Sequence, residues 1–367
     1  MLTLHAMRRS SVAIFLAVLL AALAFGGDIQ LTVTKKTPLK GELEDLVIFG
    51  LLKEMSCDSN GYIFSPTNRK YGSAINAIVR FPHDASSFTT FSIDSADGVD
   101  GGTVTDFELE SNGELVVLAR QVLKYSNLEV PIEFGKSFLI QYDRNGKILT
   151  RRALNLDTSN FSPTGVALLQ GGDILVVGRR LEEDKTLLLA DIYLSNGTLK
   201  TRFTLNPDGT KTSKERTAAS GRVFAPAAIK ANGQIYVLRG TTTEPVYVLS
   251  MTGQLLKTIQ LNPVDIEFDS PKIIGSELLF RAHNPAPDPS GAVRTKPQRV
   301  DLPIFDLDTG KIVDRYFWYN ESAGLACATT QSLTFIGQDT SSWPFQWVVL
   351  ETKATGHSIK GNLAIAR

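Results

Sequence analysis

Cysteine and histidine are scarce: the 367 residues hold two Cys and four His. That excludes a disulfide-dense secreted scaffold and any zinc module built on repeated Cys and His spacings. Net charge is also missing, since 38 basic residues balance 38 acidic ones. No global field therefore draws the chain to nucleic acid or to a charged membrane. The basic segment Lys211–Arg222 has no interleaved aromatics and makes a poor nucleic-acid footprint. Helical periodicity of three turns or more is absent beyond the N-terminal region.

One long apolar run does occur, Val12–Phe25, behind Arg8-Arg9 and ending in the small-residue pattern Ala22-Leu23-Ala24. This is the anatomy of a secretory signal peptide, and the run is shorter than the roughly 20 apolar residues a spanning helix needs. Residues 1–24 are read as the leader and 28–367 as one domain. The mature chain is then expected in the periplasm or outside the cell, without a stable membrane span. An oxidising compartment permits one disulfide between Cys57 and Cys327.

What the chain has in abundance is short apolar runs punctuated by glycine. Phe161–Leu205 contains four of them, Gly165–Leu169, Asp173–Gly178, Leu187–Tyr193 and Thr198–Leu205. Gly171-Gly172 separates the first two and Ser195-Asn196-Gly197 the last two, which are hairpin signals. The first turn glycine recurs as Gly61, Gly113, Gly172, Gly233 and Gly275, with Thr330-Gln331 in a sixth unit. The second hairpin recurs at Tyr142–Leu149, Tyr193–Leu199, Leu249–Leu256, Phe305–Val313 and Leu350–Ile359. The first unit turns instead through Pro82-His83-Asp84. Units of roughly 40 to 60 residues with four strands each predict an all-β propeller of six four-stranded antiparallel blades. The alternating strand Asp28–Lys36 has no partner in its own unit and is expected to close the ring against the last blade.

The segments FSPTGVALLQGGDILVVG and FAPAAIKANGQIYVLRG resemble the repeat of NHL-type six-bladed propellers, with a Pro before the inner strand and a glycine hairpin after it. The chain departs from that pattern in lacking the Asp that closes the second strand. It also lacks the WD dipeptide and the repeated tryptophans of quinone-binding propellers. The resemblance implies architecture and leaves function open.

Function is sought where the connections are long. Gln121–Lys136, Asn206–Arg222 and Ala282–Arg299 all fall on the side of the turn after strand two and of the link to the next blade. Aligned on their first turns, four successive second strands end in Arg120, Arg179, Arg239 and Arg281. Guanidinium forks match carboxylates and phosphates, so this row would bind an anionic ligand or an acidic segment of a partner protein. The alternative role is structural, each Arg pairing a carboxylate of the next unit. On the same rim Glu54, Asp106, Asp269 and Glu321 form a candidate site for Ca or Mg. If they hold an ion at the channel mouth, the resemblance to gluconolactonase-type propellers implies a metal-assisted lactone or ester hydrolase. A non-catalytic binding module is the leading expectation.

Three histidines remain after the leader: His83 in a turn, His283 in a Pro-rich loop and His357 in the last hairpin. None is placed at the channel. Cys57 and Cys327 take equivalent repeat positions, whose side chains should point the same way round a ring. The geometric expectation is therefore against a bridge, with buried thiols as the default.

Overall fold

The structure is a computed structural model, and it describes residues 28–48, 55–67, 76–93, 102–110, 112–125, 131–154, 161–182, 185–211, 226–264, 266–283, 300–318, 323–329, 332–339 and 346–354. The leader, Glu54, Glu321, His357 and most of the segments Asn206–Arg222 and Ala282–Arg299 lie outside them.

The described residues are all-β apart from one short helix. After β1 (Asp28–Pro38) and α1 (Glu42–Ile48), the first sheet runs β2 (Ser56–Cys57), β3 (Ile63–Thr67), β4 (Ala77–Phe81) and β5 (Thr89–Ser92). The second is β6 (Thr103–Leu109), β7 (Leu115–Tyr125), β8 (Pro131–Tyr142) and β9 (Ile148–Leu154). The third is β10 (Phe161–Leu168), β11 (Ile174–Leu181), β12 (Lys185–Tyr193) and β13 (Leu199–Thr204), with β14 (Thr210–Lys211) added beside β12. The fourth is β15 (Ala227–Ala231), β16 (Gln234–Leu238), β17 (Val246–Ser250) and β18 (Leu255–Ile259). Each is an antiparallel meander.

The remaining strands are β19 (Glu267–Ile274), β20 (Glu277–His283), β21 (Val300–Asp306), β22 (Ile312–Trp318), β23 (Gly324–Ala328), β24 (Leu333–Asp339) and β25 (Gln346–Ala354). With β1 they form one eight-stranded sheet in the order β19-β20-β21-β22-β1-β25-β24-β23. Four free-standing blades are therefore present, where the repeats predict six. The difference arises at β1, which runs antiparallel to β25 from Leu31 to Pro38 and parallel to β22 from Asp28 to Gln30. Pairing of one strand with two others merges what the repeat count treats as separate sheets.

The blades are arranged as in a propeller, their first strands innermost. β6 lies beside β10, β10 beside β15, β15 beside β19, β19 beside β23 and β23 beside β2. Between blades the core is split by strand alternation. On β11, Ile174 and Val176 join Val116 and Leu118 of β7, whereas Leu175 and Val177 join Ile235 and Val237 of β16. β11 thus buries both faces, which is why its sequence reads as a continuous apolar run.

The segment expected as a long loop after β7 is mostly strand. β7 and β8 continue as a two-stranded arm, with Val122 opposite Phe134 and Lys124 opposite Glu133. Alternation of Val, Leu and Phe with polar residues lets the hairpin outgrow its sheet.

Candidate functional site

Arg179 and Arg281 lie near the ends of their second strands, Arg239 just beyond its own and Arg120 midway along β7, and strand alternation decides what each meets. Arg120 shares a face with Leu118, toward the third blade. Its guanidinium donates to Ser162 Oγ at 3.2 Å and its Cζ stacks 4.1 Å above the Phe134 ring of the arm. Ser162 is in turn the cross-strand partner of Arg179. Arg179 shares a face with Val177 and points toward the fourth blade, and Arg239 shares a face with Val237 and points back. The two cations thus approach across the gap between blades. Burial, with Arg239 adding like-charge repulsion, pushes the Arg179 guanidinium down to about 10. Burial alone lowers that of Arg120.

The row divides by partner. Arg281 donates from Nε to Asp269 Oδ1 at 2.9 Å, through NH2 to Oδ2 at 2.5 Å and through NH1 to the Ala323 carbonyl at 2.8 Å. That is a saturated, bidentate structural pair. Arg239 is paired with Glu244, and both are largely buried. The carboxylates come from the same blade rather than from the neighbouring unit. Glu244 is itself held above its usual value by burial, against the pull of Arg239, and its Oε2 is buried without a hydrogen-bond partner. Arg179 has no carboxylate among the described residues, and its Nε is buried and unpartnered. Of these two arginines, Arg179 is the one without a carboxylate among the described residues.

Two of the four carboxylates proposed for a cation, Asp106 and Asp269, lie among the described residues, and each has a partner of its own. Asp106 Oδ2 accepts the Val166 amide at 2.8 Å, and Asp269 is bound to Arg281. Glu54 and Glu321 lie outside the described residues. The physical reason for the Asp106 arrangement is the free edge of β10, whose inward amides need acceptors. Glu108 serves the next one, accepting from the Leu168 amide, and pairs with Lys230 of β15 at 3.0 Å. Lys230 also reaches Glu110 at 3.0 Å, so side chains from blades two and four meet across the inner edge of blade three.

The group of potential metal ligands that does gather among the described residues was not foreseen: Cys57, His83 and Cys327. The two cysteines form a disulfide with Cα atoms 5.5 Å apart, against the geometric expectation. The reason is a β-bulge. The register of β23 against β24 shifts between Leu325 and Cys327, so Ala326 and Cys327 both face the first blade while Leu325 faces the other way. Rotational equivalence of the two positions is broken and Cys327 turns toward Cys57. Among the second hairpins, His83 lies in the one turn whose sequence has no glycine, Pro82-His83-Asp84. That departure, beside two cysteines at matching repeat positions, was the available sequence signal. Glu244 had none beyond its five-residue separation from Arg239.

No family model matches the chain, and no curated protein does. Among solved structures it is similar to Trypanosoma rangeli sialidase, with a TM-score of 0.46 at 12% identity, over 87% of this chain and 58% of that one. It is also similar to the WD40 domain of Toxoplasma gondii coronin, with a TM-score of 0.38 at 10% identity, over 89% and 88% of the two chains. The chain thus spans little more than half of the sialidase's length. Likenesses this distant assign no activity, and no NHL or gluconolactonase family stands behind the repeat resemblance. The propeller arrangement rests on the strand order and the inward packing of first strands. No helix among the described residues is long and apolar enough to cross a membrane.

Proposed function

We propose that this chain is an exported, non-catalytic binding propeller that captures a carboxylate- or phosphate-bearing ligand or partner segment at Arg179. The observation that carries the reading is the largely buried guanidinium of Arg179, without a carboxylate among the described residues and next to a second cation. A buried unpaired cation costs several kcal/mol unless an anion joins it. Arg239, neutralised by Glu244, and Arg120, braced on Phe134, flank the site. In this reading the eight-stranded sheet is two blades joined edge to edge through β1, giving six. Six apolar layers, one between each successive pair of units, support that count. β1 then completes the last blade with β23–β25 and closes the ring. The N-terminal arginine pair with its apolar run, together with the disulfide, favours export to an oxidising compartment.

The test is calorimetric titration with citrate and with inorganic phosphate. A charge-assisted pair is worth about 1.5–3 kcal/mol, so Arg179→Ala should weaken anion binding roughly 10- to 100-fold, with a melting temperature in the absence of anion no lower than that of the wild type. Absence of binding by the wild type, equal binding by the variant, or a large loss of stability would each reject the assignment.

A further inference from the structure

We infer that Cys57, Cys327 and His83 form a zinc site when the disulfide is reduced, so that a metal ion and a covalent bond are alternative staples at one position. The inference is independent of the arginine site. Their donor atoms lie within 4.8 Å of one another. His83 Nε2 stands 3.6 Å from Cys327 Sγ. In a tetrahedral zinc site with ordinary Zn–S and Zn–N bonds, a sulfur and a nitrogen are about 3.6 Å apart and two sulfurs about 3.8 Å. The imidazole is therefore already at ligand distance, and only the sulfurs need to separate by side-chain rotation. Two thiolates and an imidazole are a donor set suited to zinc, and His83, about 30% exposed, leaves the fourth position open to solvent.

The far side of the imidazole is prepared as well. Glu351 Oε1 lies 3.8 Å from His83 Nδ1. The charge of a carboxylate on that side favours a proton on Nδ1, which would leave the Nε2 lone pair facing the sulfurs. Lys35 holds the same Glu351 oxygen at 3.3 Å, on the strand that pairs with β25. All these groups sit where β2 of the first sheet meets β23 of the eight-stranded sheet. A metal there would tie the same two sheets that the disulfide ties.

The chemistry balances with a phosphine as reductant. The phosphine and one water convert the disulfide to two thiols and become the phosphine oxide. Binding of Zn²⁺ then displaces two protons as both thiols become thiolates.

To test this, full-length protein is reduced with a phosphine, freed of it under argon and titrated with Co²⁺, then Zn²⁺. The expected result is one Co²⁺ per chain, with thiolate-to-cobalt charge-transfer bands that zinc abolishes, and none in the oxidised protein. Far-ultraviolet circular dichroism follows the fold. Glu351→Gln should weaken binding about 10- to 100-fold, His83→Ala should weaken it further, and the double variant Cys57→Ser/Cys327→Ser should show no charge-transfer band. Absence of the bands in reduced wild type, or equal affinity in His83→Ala, overturns the inference. If reduction unfolds the chain, zinc should restore the dichroism of the wild type and not of His83→Ala; restoration in both or in neither overturns it.

Discussion

Asp191 shows how a buried charge is tolerated in a chain with few of them. Its side chain has no exposed surface, and Arg202 on the adjacent strand binds both of its oxygens at 2.7 Å. Tyr193 adds a third hydrogen bond at 3.0 Å, and its phenol is held protonated by burial and by the Asp191 charge. Removing one member strands the others, so Asp191→Ala should cost about 3–5 kcal/mol in denaturant unfolding. Glu108 behaves differently. Burial pushes its carboxyl up to about 7 from 4.5, even though Lys230 pulls the other way. The folded chain then keeps a proton that the unfolded chain has released, so stability falls as pH rises between those values. Glu108→Gln mimics the protonated form. Its melting temperature relative to wild type should therefore climb between pH 5 and pH 8; a difference independent of pH would reject this account.

At the scale of the hairpin, the second turn of units two to five performs two tasks. Asp143 and Asp306 accept backbone amides of their own turns, a local device that ends one strand and starts the next. The glycine that follows answers to the neighbouring blade. Gly197 has φ of +85°, and a Cβ there would stand 2.7 Å from the Ala153 carbonyl of β9. Gly197→Ala thus meets both a left-handed backbone and another blade's main chain. It should destabilise by about 2–4 kcal/mol, more than the roughly 1 kcal/mol that conformational preference alone explains. A loss of 1 kcal/mol or less in urea unfolding would show that the blades can shift apart.

For the whole molecule, two features join distant parts of the chain. The disulfide spans 270 residues. Closing a loop of that size restricts the unfolded chain by about 5 kcal/mol in the chain-entropy treatment, so Cys57→Ser/Cys327→Ser should lower stability by up to that amount. Unfolding midpoints in urea, with and without reductant, measure it. β1 is the other. Without Asp28–Pro38 both β22 and β25 present open edges, and a chain lacking these residues should self-associate, visible by light scattering.

Much of the element pattern was written in the sequence, because hairpins obey local rules. Glycine at positive φ, apolar runs between turns and arginine at strand ends all depend on residues a few positions apart. Long-range arrangement depended on what the tertiary structure brings together. Three separate features turned on contacts between residues far apart in the chain or on a one-residue slip: the amide that occupies Asp106, the double pairing of β1, and the bulge that turns Cys327 toward Cys57. A strand alternates its side chains with a period of two, so a single inserted residue reverses what faces what. Composition and spacing do not encode that slip; the packing of one blade against the next decides it.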